Sequence, residues 1–243
     1  YGLPKQNEEG FARTLDIVAQ ARPDRLAVYS YAHLPQLFKP QRQIDASQLP
    51  DPATKLNLLK LAITKLTEAG YRYIGMDHFA LPEDELSVAL DAGTLQRNFM
   101  GYTTHAATDL IGVGVSAISH IADTYSQNPR DLKSWEDAID ANRLPVWRGM
   151  ELSFDDQLRA RVIQELMCLG TVTIADVERS FDIVFGEYFA EDLARLQPLV
   201  DDGLAEVDAT SIRVTPRGRL LVRLLAACFD AYLRAPAQPV QFS

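Results

Sequence analysis

The feature that most narrows the possible folds is an alternation of short strand-like runs with amphipathic helical stretches over residues 1–121. Tyr1-Gly2-Leu3-Pro4 reads as the end of a buried strand entering a loop. Asn7-Glu8-Glu9 then opens a helix with an acidic first turn and Phe11, Leu15 and Val18 on one face. Arg25 to Tyr31 reads as a strand, and Ala32 to Pro52 as a long Pro-punctuated loop. A second helix follows, presenting Leu56, Leu59, Ile63 and Leu66 and stopping at Gly70. Tyr71 to Gly75 is the next strand, Glu83 to Ala92 a helix closed by Gly93, and Asp109 to Val115 a further strand. Strands separated by helices are expected to run parallel. Three internal strands and the Tyr1 stub amount to half of a barrel that takes about 250 residues when complete. The expectation is therefore an α/β chain carrying half of a (β/α) partial barrel, a count that suits the C-terminal half of one whose N-terminal half is lost.

The pattern changes after Arg148-Gly149. Phe154 to Leu169, Ile174 to Phe181 and Tyr188 to Asp202 read as helices, Leu204 to Thr215 as a hairpin turning at Asp208-Ala209-Thr210, and Arg217 to Leu233 as a last helix. That order is winged-helix-like, so the sequence divides into residues 1–149, the barrel portion, and 150–243, a mostly helical domain. A winged helix raises the alternative of a DNA-binding regulator. Its recognition helix, however, would carry Glu191, Asp192, Asp201 and Asp202 against Arg195 alone, and the stripe of Arg213, Arg217, Arg219 and Arg223 sits within a chain of net charge -9. Nucleic-acid binding needs clustered cations that release counterions, so no nucleic-acid partner is expected.

No apolar run approaches the roughly 18 residues of a membrane span, so no membrane partner is expected. Cys168 and Cys228, the only two cysteines, lack regular spacing and fall in apolar helices. They read as buried thiols of a cytoplasmic protein. No pair of histidines with a carboxylate shows helical metal-binding spacing, so no protein-held metal is expected in this chain.

Between Gly70 and Ile121 three motif blocks follow one another: Gly75-Met76-Asp77-His78-Phe79-Ala80, Arg97-Asn98-Phe99-Met100-Gly101-Tyr102-Thr103-Thr104 and Gly112-Val113-Gly114-Val115-Ser116-Ala117-Ile118-Ser119. Together they resemble the oxygen-independent coproporphyrinogen III oxidases of the radical S-adenosylmethionine (SAM) superfamily, over nearly the whole chain. Haem chaperones of the same superfamily are the nearest alternative. They usually carry Ser-Asn-Phe-Ala at Asp77 to Ala80 and His-Asn-x-x-Tyr-Trp at Arg97 to Tyr102, and this chain has the oxidase version of both blocks.

The resemblance implies a reaction. A [4Fe-4S] cluster cleaves SAM reductively to a 5′-deoxyadenosyl radical, which takes hydrogen from a propionate β-carbon. Loss of CO2 and an electron leaves a vinyl group, and two such steps convert coproporphyrinogen III to protoporphyrinogen IX in haem biosynthesis. The family holds its cluster on Cys-x3-Cys-x2-Cys, which this chain lacks, so the chain by itself is expected to be inactive. The sequence names neither an electron donor nor an acceptor.

By resemblance, Ala32 and Ile118 contact SAM, and Tyr29 lies near an adenine site where its ring could stack. Met100 stands where the family has Gln in the block that binds a second SAM, and a thioether accepts hydrogen bonds only weakly. The residues of Gly112-Val113-Gly114 let backbone approach a ligand closely. The substrate's four propionates call for cationic donors: Arg97 foremost, then Arg42 and Lys39. His78 and His33, each just after a strand, are placed to donate to a propionate or relay a proton. His105 and His120 read as incidental.

Overall fold

A computed structural model describes residues 1–105 and 108–233. The chain forms two compact units, Tyr1–Gly93 and the part from Thr94 onward. The sequence-based boundary at 149/150 falls inside the second unit.

In the first unit, helix α1 (Glu8–Ala21) is capped by Asn7, whose side chain accepts from the Gly10 N–H, and it buries Phe11 and Leu15. Helix α2 (Pro52–Glu68) starts with Asp51 accepting from Thr54 and Pro at its first turn. Its buried residues are Leu58, Ala62 and Leu66, spaced four apart, while Leu56 is exposed. The expected helix forms, and of its expected face Leu66 is buried, Ile63 packs against the core and Leu59 is half-buried, while Leu56 faces out and Leu58 and Ala62 complete the buried stripe. Strands β1 (Arg25–Ala27), β2 (Arg72–Gly75) and β3 (His78–Ala80) make one sheet in the order β1-β3-β2. The expected parallel ladder is corrected here. Both β1 and β2 pair antiparallel to β3, so they run the same way with the returning β3 between them. A tight reversal at Met76, φ +51°, makes that return possible. The parallel reading missed β3 because Asp77-His78-Phe79-Ala80 looked like a loop. A parallel-type contact does occur at the start of the chain: the Tyr1 backbone nitrogen donates to Tyr29 C=O and the Tyr31 N–H donates to Tyr1 C=O. Helix α3 (Glu85–Asp91) completes the unit, tied to β2 by the bidentate pair of Arg72 with Asp91.

The second unit opens with the hairpin β4 (Gln96–Asn98) and β5 (Gly101–Thr103). The strand expected over Asp109 to Val115 is absent. Leu110 makes one isolated bridge to His120, and the sheet is instead β6 (Ile118–Ile121), β7 (Thr124–Gln127) and β8 (Arg148–Glu151), all antiparallel. Residues 112–117 turn back on β6. A Cβ on Gly112 would lie 2.6 Å from the Ile118 carbonyl oxygen, closer than any packed carbon tolerates. Helix α4 (Leu132–Asp140) joins β7 to β8.

Next come α5 (Phe154–Cys168), β9 (Thr171–Thr173), α6 (Ile174–Phe181), α7 (Phe185–Tyr188), α8 (Ala190–Asp201), the hairpin β10 (Ala205–Val207) and β11 (Ser211–Val214), and the short α9 (Val222–Ala227). Helices and hairpin follow the order read from sequence. The hairpin turn is pinned by Asp208, which accepts from the Thr210 and Ser211 N–H groups. Strand β9 was missed, and it joins β11 to make the sheet three-stranded. The last helix is broken into short pieces rather than continuous from Arg217 to Leu233.

Leu158, Val162 and Leu166 of α5 meet Phe185, Phe189, Leu196, Ile212 and Phe229 in the core. Among these apolar groups lies Arg159. Its Nε donates to Asp155 at 2.8 Å, its Nη1 to Asp192 at 3.0 Å and to Phe229 C=O at 3.1 Å, and its guanidinium faces the Phe189 ring. Asp192, read from sequence as part of an acidic surface, is fully buried as the partner of Arg159. Removing one member of such a pair strands a buried charge. Asp192→Ala is expected to cost about 3–5 kcal/mol in urea unfolding of the second unit, and a loss below about 1 kcal/mol would show that Arg159 is solvated some other way. Gly112→Ala, forced against the Ile118 carbonyl, is expected to cost about 1–3 kcal/mol by overpacking; unchanged stability would mean the 112–117 turn yields freely.

Candidate functional site

Each unit brings part of the expected site together. In the first, β1 continues into Val28, whose N–H donates to Asp77 C=O at 2.7 Å. This crosslink sets Tyr29 beside His78. The Tyr29 hydroxyl lies 3.3 Å from His78 Nε2, and the rings meet edge to face with centroids 5.7 Å apart. Two residues that the sequence offered separately are thus one pair. His78 is the first residue of β3, not a loop residue, paired with Ala27 on one side and Gly75 on the other. Tyr29 keeps 59% of its surface exposed, which leaves an aromatic face open to a planar partner.

The loop after β1 is held by a residue that sequence reasoning passed over. Gln41 Nε2 donates to Ala32 C=O at 3.1 Å, and its Oε1 accepts from the Leu34 N–H. The amide of Gln41 thus fixes the backbone on both sides of His33, whose Nδ1 sits 3.4 Å from the Tyr31 hydroxyl. Arg42, expected as a substrate donor, uses its Nε on Pro35 C=O at 2.9 Å. Its place in the same 3-10 turn as Lys39, residues Lys39–Gln43, ties it to holding this loop. No motif in the sequence marks Gln41; the signal would have been a Gln one turn into a Pro-started helix facing a loop whose backbone groups need partners.

In the second unit Arg97 and Met100 share one hairpin. Arg97 is exposed on β4 opposite Tyr102, and its C=O accepts from Gln164 Nε2 at 3.0 Å. Tyr102 is buried and donates its hydroxyl to Met167 C=O at 3.1 Å, so both strands are pinned to α5. Met100 lies in the two-residue turn with 84% of its surface exposed, its N–H donating to Asn98 Oδ1 at 2.8 Å. Beside it Phe99 meets Tyr125 edge to face, and Tyr125 stacks on His120 at 4.2 Å, so His120 belongs to an aromatic stack behind the hairpin. Burial pushes the Tyr125 hydroxyl pKa up. Ile118 is half-buried at the start of β6. The small residues before it have an internal cause: Gly112 is required because the Ile118 backbone itself makes the close approach.

The two cysteines are in separate elements, and both are buried. Burial pushes the Cys168 thiol up to about 12 and raises Cys228 as well, so neither is a thiolate near neutral pH. Among the described residues no three His, Cys, Asp or Glu side chains converge as metal ligands, and no helix is long and apolar enough to cross a membrane.

Comparison with known proteins covers the whole chain. Residues 152–221 match the family model described as HemN C-terminal domain. The chain is 51% identical over 243 residues to the oxygen-independent coproporphyrinogen III oxidase of Escherichia coli, covering 53% of that protein. It is 52% identical to the Pseudomonas aeruginosa protein of the same name over 233 residues, covering 51% of it. With the protein of that name from Thermostichus vulcanus it shares 44% over 235 residues, 96% of this chain and 72% of the relative. A solved structure described as "Coproporphyrinogen III oxidase (HemN) from Escherichia coli is a Radical SAM enzyme" superimposes with a TM-score of 0.94 at 51% identity, over 96% of this chain and 54% of that one. The chain spans about half the length of the first of these relatives. With identity sustained over so much of the Thermostichus protein, and the same fold, this chain belongs to the oxygen-independent coproporphyrinogen III oxidase family.

Proposed function

We propose that this chain is the ligand-covering C-terminal portion of an enzyme that converts two propionates of coproporphyrinogen III to vinyl groups, giving protoporphyrinogen IX in haem biosynthesis. The observation that carries this reading is the unbroken similarity to the E. coli oxidase over all 243 residues. The oxidase forms of the Asp77 to Ala80 and Arg97 to Tyr102 blocks favour it over a haem chaperone. We assign residues 1–149 to the barrel portion and 150–243 to the covering domain, and the protein to the cytoplasm.

The chain does not fit the iron–sulfur cluster. Its two thiols are buried, separate and protonated near neutral pH, so the cluster ligands lie outside this sequence. The fit to SAM is better. Within the first unit Tyr29 offers an exposed aromatic face beside His78 and Gln41 fixes the backbone at Ala32; within the second, Ile118 offers an apolar side chain on an edge strand. When bound, SAM supplies the group that removes hydrogen from the propionate. The work of this chain is to orient and to exclude water, holding reacting atoms in line. Arg97 is the donor for a propionate; His78 and His33 are placed to hold or pass a proton, His78 through its Nε2 contact with Tyr29. Arg42 serves the same region by holding its loop. Met100 offers a second SAM only a thioether.

Incubated anaerobically with iron and sulfide, the chain alone is expected to show no stoichiometric [4Fe-4S] absorption, and native Cys168 and Cys228 are expected to resist a thiol reagent until urea is added. A cluster on the isolated chain would contradict the assignment. In a longer protein carrying upstream cluster cysteines, coproporphyrinogen III with SAM and reductant is expected to release CO2 and 5′-deoxyadenosine. Ile118→Asp should suppress turnover there by setting a charge against an apolar wall. Met100→Gln should tighten SAM binding by about 1 kcal/mol, one net hydrogen bond; equal affinity by equilibrium dialysis would reduce Met100 to a turn residue.

A further inference from the structure

The second unit contains a cavity of about 500 Å³ that none of the residues above uses. It opens where β7 ends and β8 begins, with α4 along one wall, and Arg130, Arg143 and Trp147 line it. Two guanidinium groups lie over the Trp147 ring, Arg130 at 5.1 Å and Arg148 at 4.8 Å from its centroid, yet 52% of its surface stays exposed. Two cation–π contacts hold the indole in place, and it lends the cavity an apolar, aromatic part of its lining. Arg130 Nη2 is buried and has no hydrogen-bond partner among the described residues. A buried guanidinium N–H without an acceptor carries a desolvation cost that an entering acceptor would relieve. Arg143 has no acidic partner among the described residues. Asp131 is the one acid in the lining, and its carboxylate already accepts from the Ser134 N–H at 2.8 Å as the cap of α4. Two arginines against one engaged aspartate leave the cavity cationic.

Its place in the fold says which anion to expect. Ile118, Gln127 and Arg148 form one row across β6, β7 and β8, and the cavity begins one step past that row. The Pro129 carbonyl accepts from the Ser116 N–H at 2.7 Å, and Asn128 Nδ2 donates to Gly114 C=O at 2.7 Å. The wall of the cavity is thereby bonded directly to the turn that presents Ile118. We propose that the Arg130–Arg143–Trp147 cavity is a carboxylate site that holds one propionate the reaction leaves intact, with its pyrrole ring against Trp147. The inference rests on the function proposed above. A cavity of this size takes one ring and its arm rather than a macrocycle. A planar guanidinium fork is the donor geometry suited to a carboxylate.

The chain's two tryptophans, Trp147 in the cavity and Trp135 on α4, report binding by fluorescence. The chain is titrated with coproporphyrin III, with its uncharged tetramethyl ester, and with coproporphyrin III in competition with inorganic phosphate. Coproporphyrin III is expected to bind, the ester to fail, and phosphate to compete poorly. Arg130→Gln and Arg143→Gln are each expected to weaken binding at least tenfold, with Arg130→Lys intermediate. Circular dichroism melts check folding; should Arg130→Gln unfold the unit, the exposed Arg143 carries the test. Unchanged affinity in both Gln variants, no coproporphyrin binding to the unmodified chain, or phosphate competing as strongly as the porphyrin would each overturn the proposal. The first of these leaves the decarboxylation reading standing. Arginine-dependent porphyrin binding in a longer protein that releases no CO2 would instead overturn the reaction and keep the site.

Discussion

The second unit depends on how Arg159 is accommodated inside an apolar core. A guanidinium among Phe189, Phe229 and Leu196 is tolerable only because Asp155, Asp192 and the Phe229 carbonyl take up its N–H groups. These contacts lock α5 to α8 and to the segment after α9. Their effect reaches further, because α5 carries the hairpin at its other side: Gln164 holds Arg97 C=O and Met167 holds the Tyr102 hydroxyl. The start of α5 is fixed as well, by a capping box between Ser153 and Asp156. Placement of Arg97 and Met100 is thus tied to core electrostatics one to two turns away on α5.

Elements whose signals are local could be read from the sequence. Asn7, Asp51 and Ser153 cap helices whose apolar spacing continues past them, and Asp208 marks the wing turn by accepting backbone N–H groups two and three residues on. What escaped was set by pairing partners distant in sequence. His78-Phe79-Ala80 is too short to announce a strand, and it becomes one only between Leu26 and Tyr73. Asp109 to Val115 has strand composition, yet Gly112 and Gly114 let it turn back on Ile118, so its ladder never forms. The one departure in α2 has a similar source: Leu56 and Leu58 are equally apolar, and packing against α1 decides that Leu58 is covered and Leu56 is not.

The candidate site divides along the same line. Its blocks were legible as motifs, since Tyr29, Ala32, His78, Arg97, Met100 and Ile118 stand in recognisable runs. The Tyr29–His78 pair, the Gln41 clamp and the backbone role of Arg42 were not, because each is a contact between segments with no mutual spacing rule. The contact of Arg130 with Trp147 escaped for that reason too, as α4 separates the two in sequence.

Under the proposed function the labour is divided: this chain supplies binding and cover, and the electron that starts the chemistry enters elsewhere. This division is tested most directly by pairing this chain with a separate piece of a family member that carries the cluster cysteines and assaying each piece and their anaerobic mixture for CO2 release from coproporphyrinogen III. The account predicts that neither piece is active and that the mixture recovers decarboxylation, saturating with added chain. Decarboxylation by this chain alone, or by the cluster-bearing piece at the full rate without it, would contradict it.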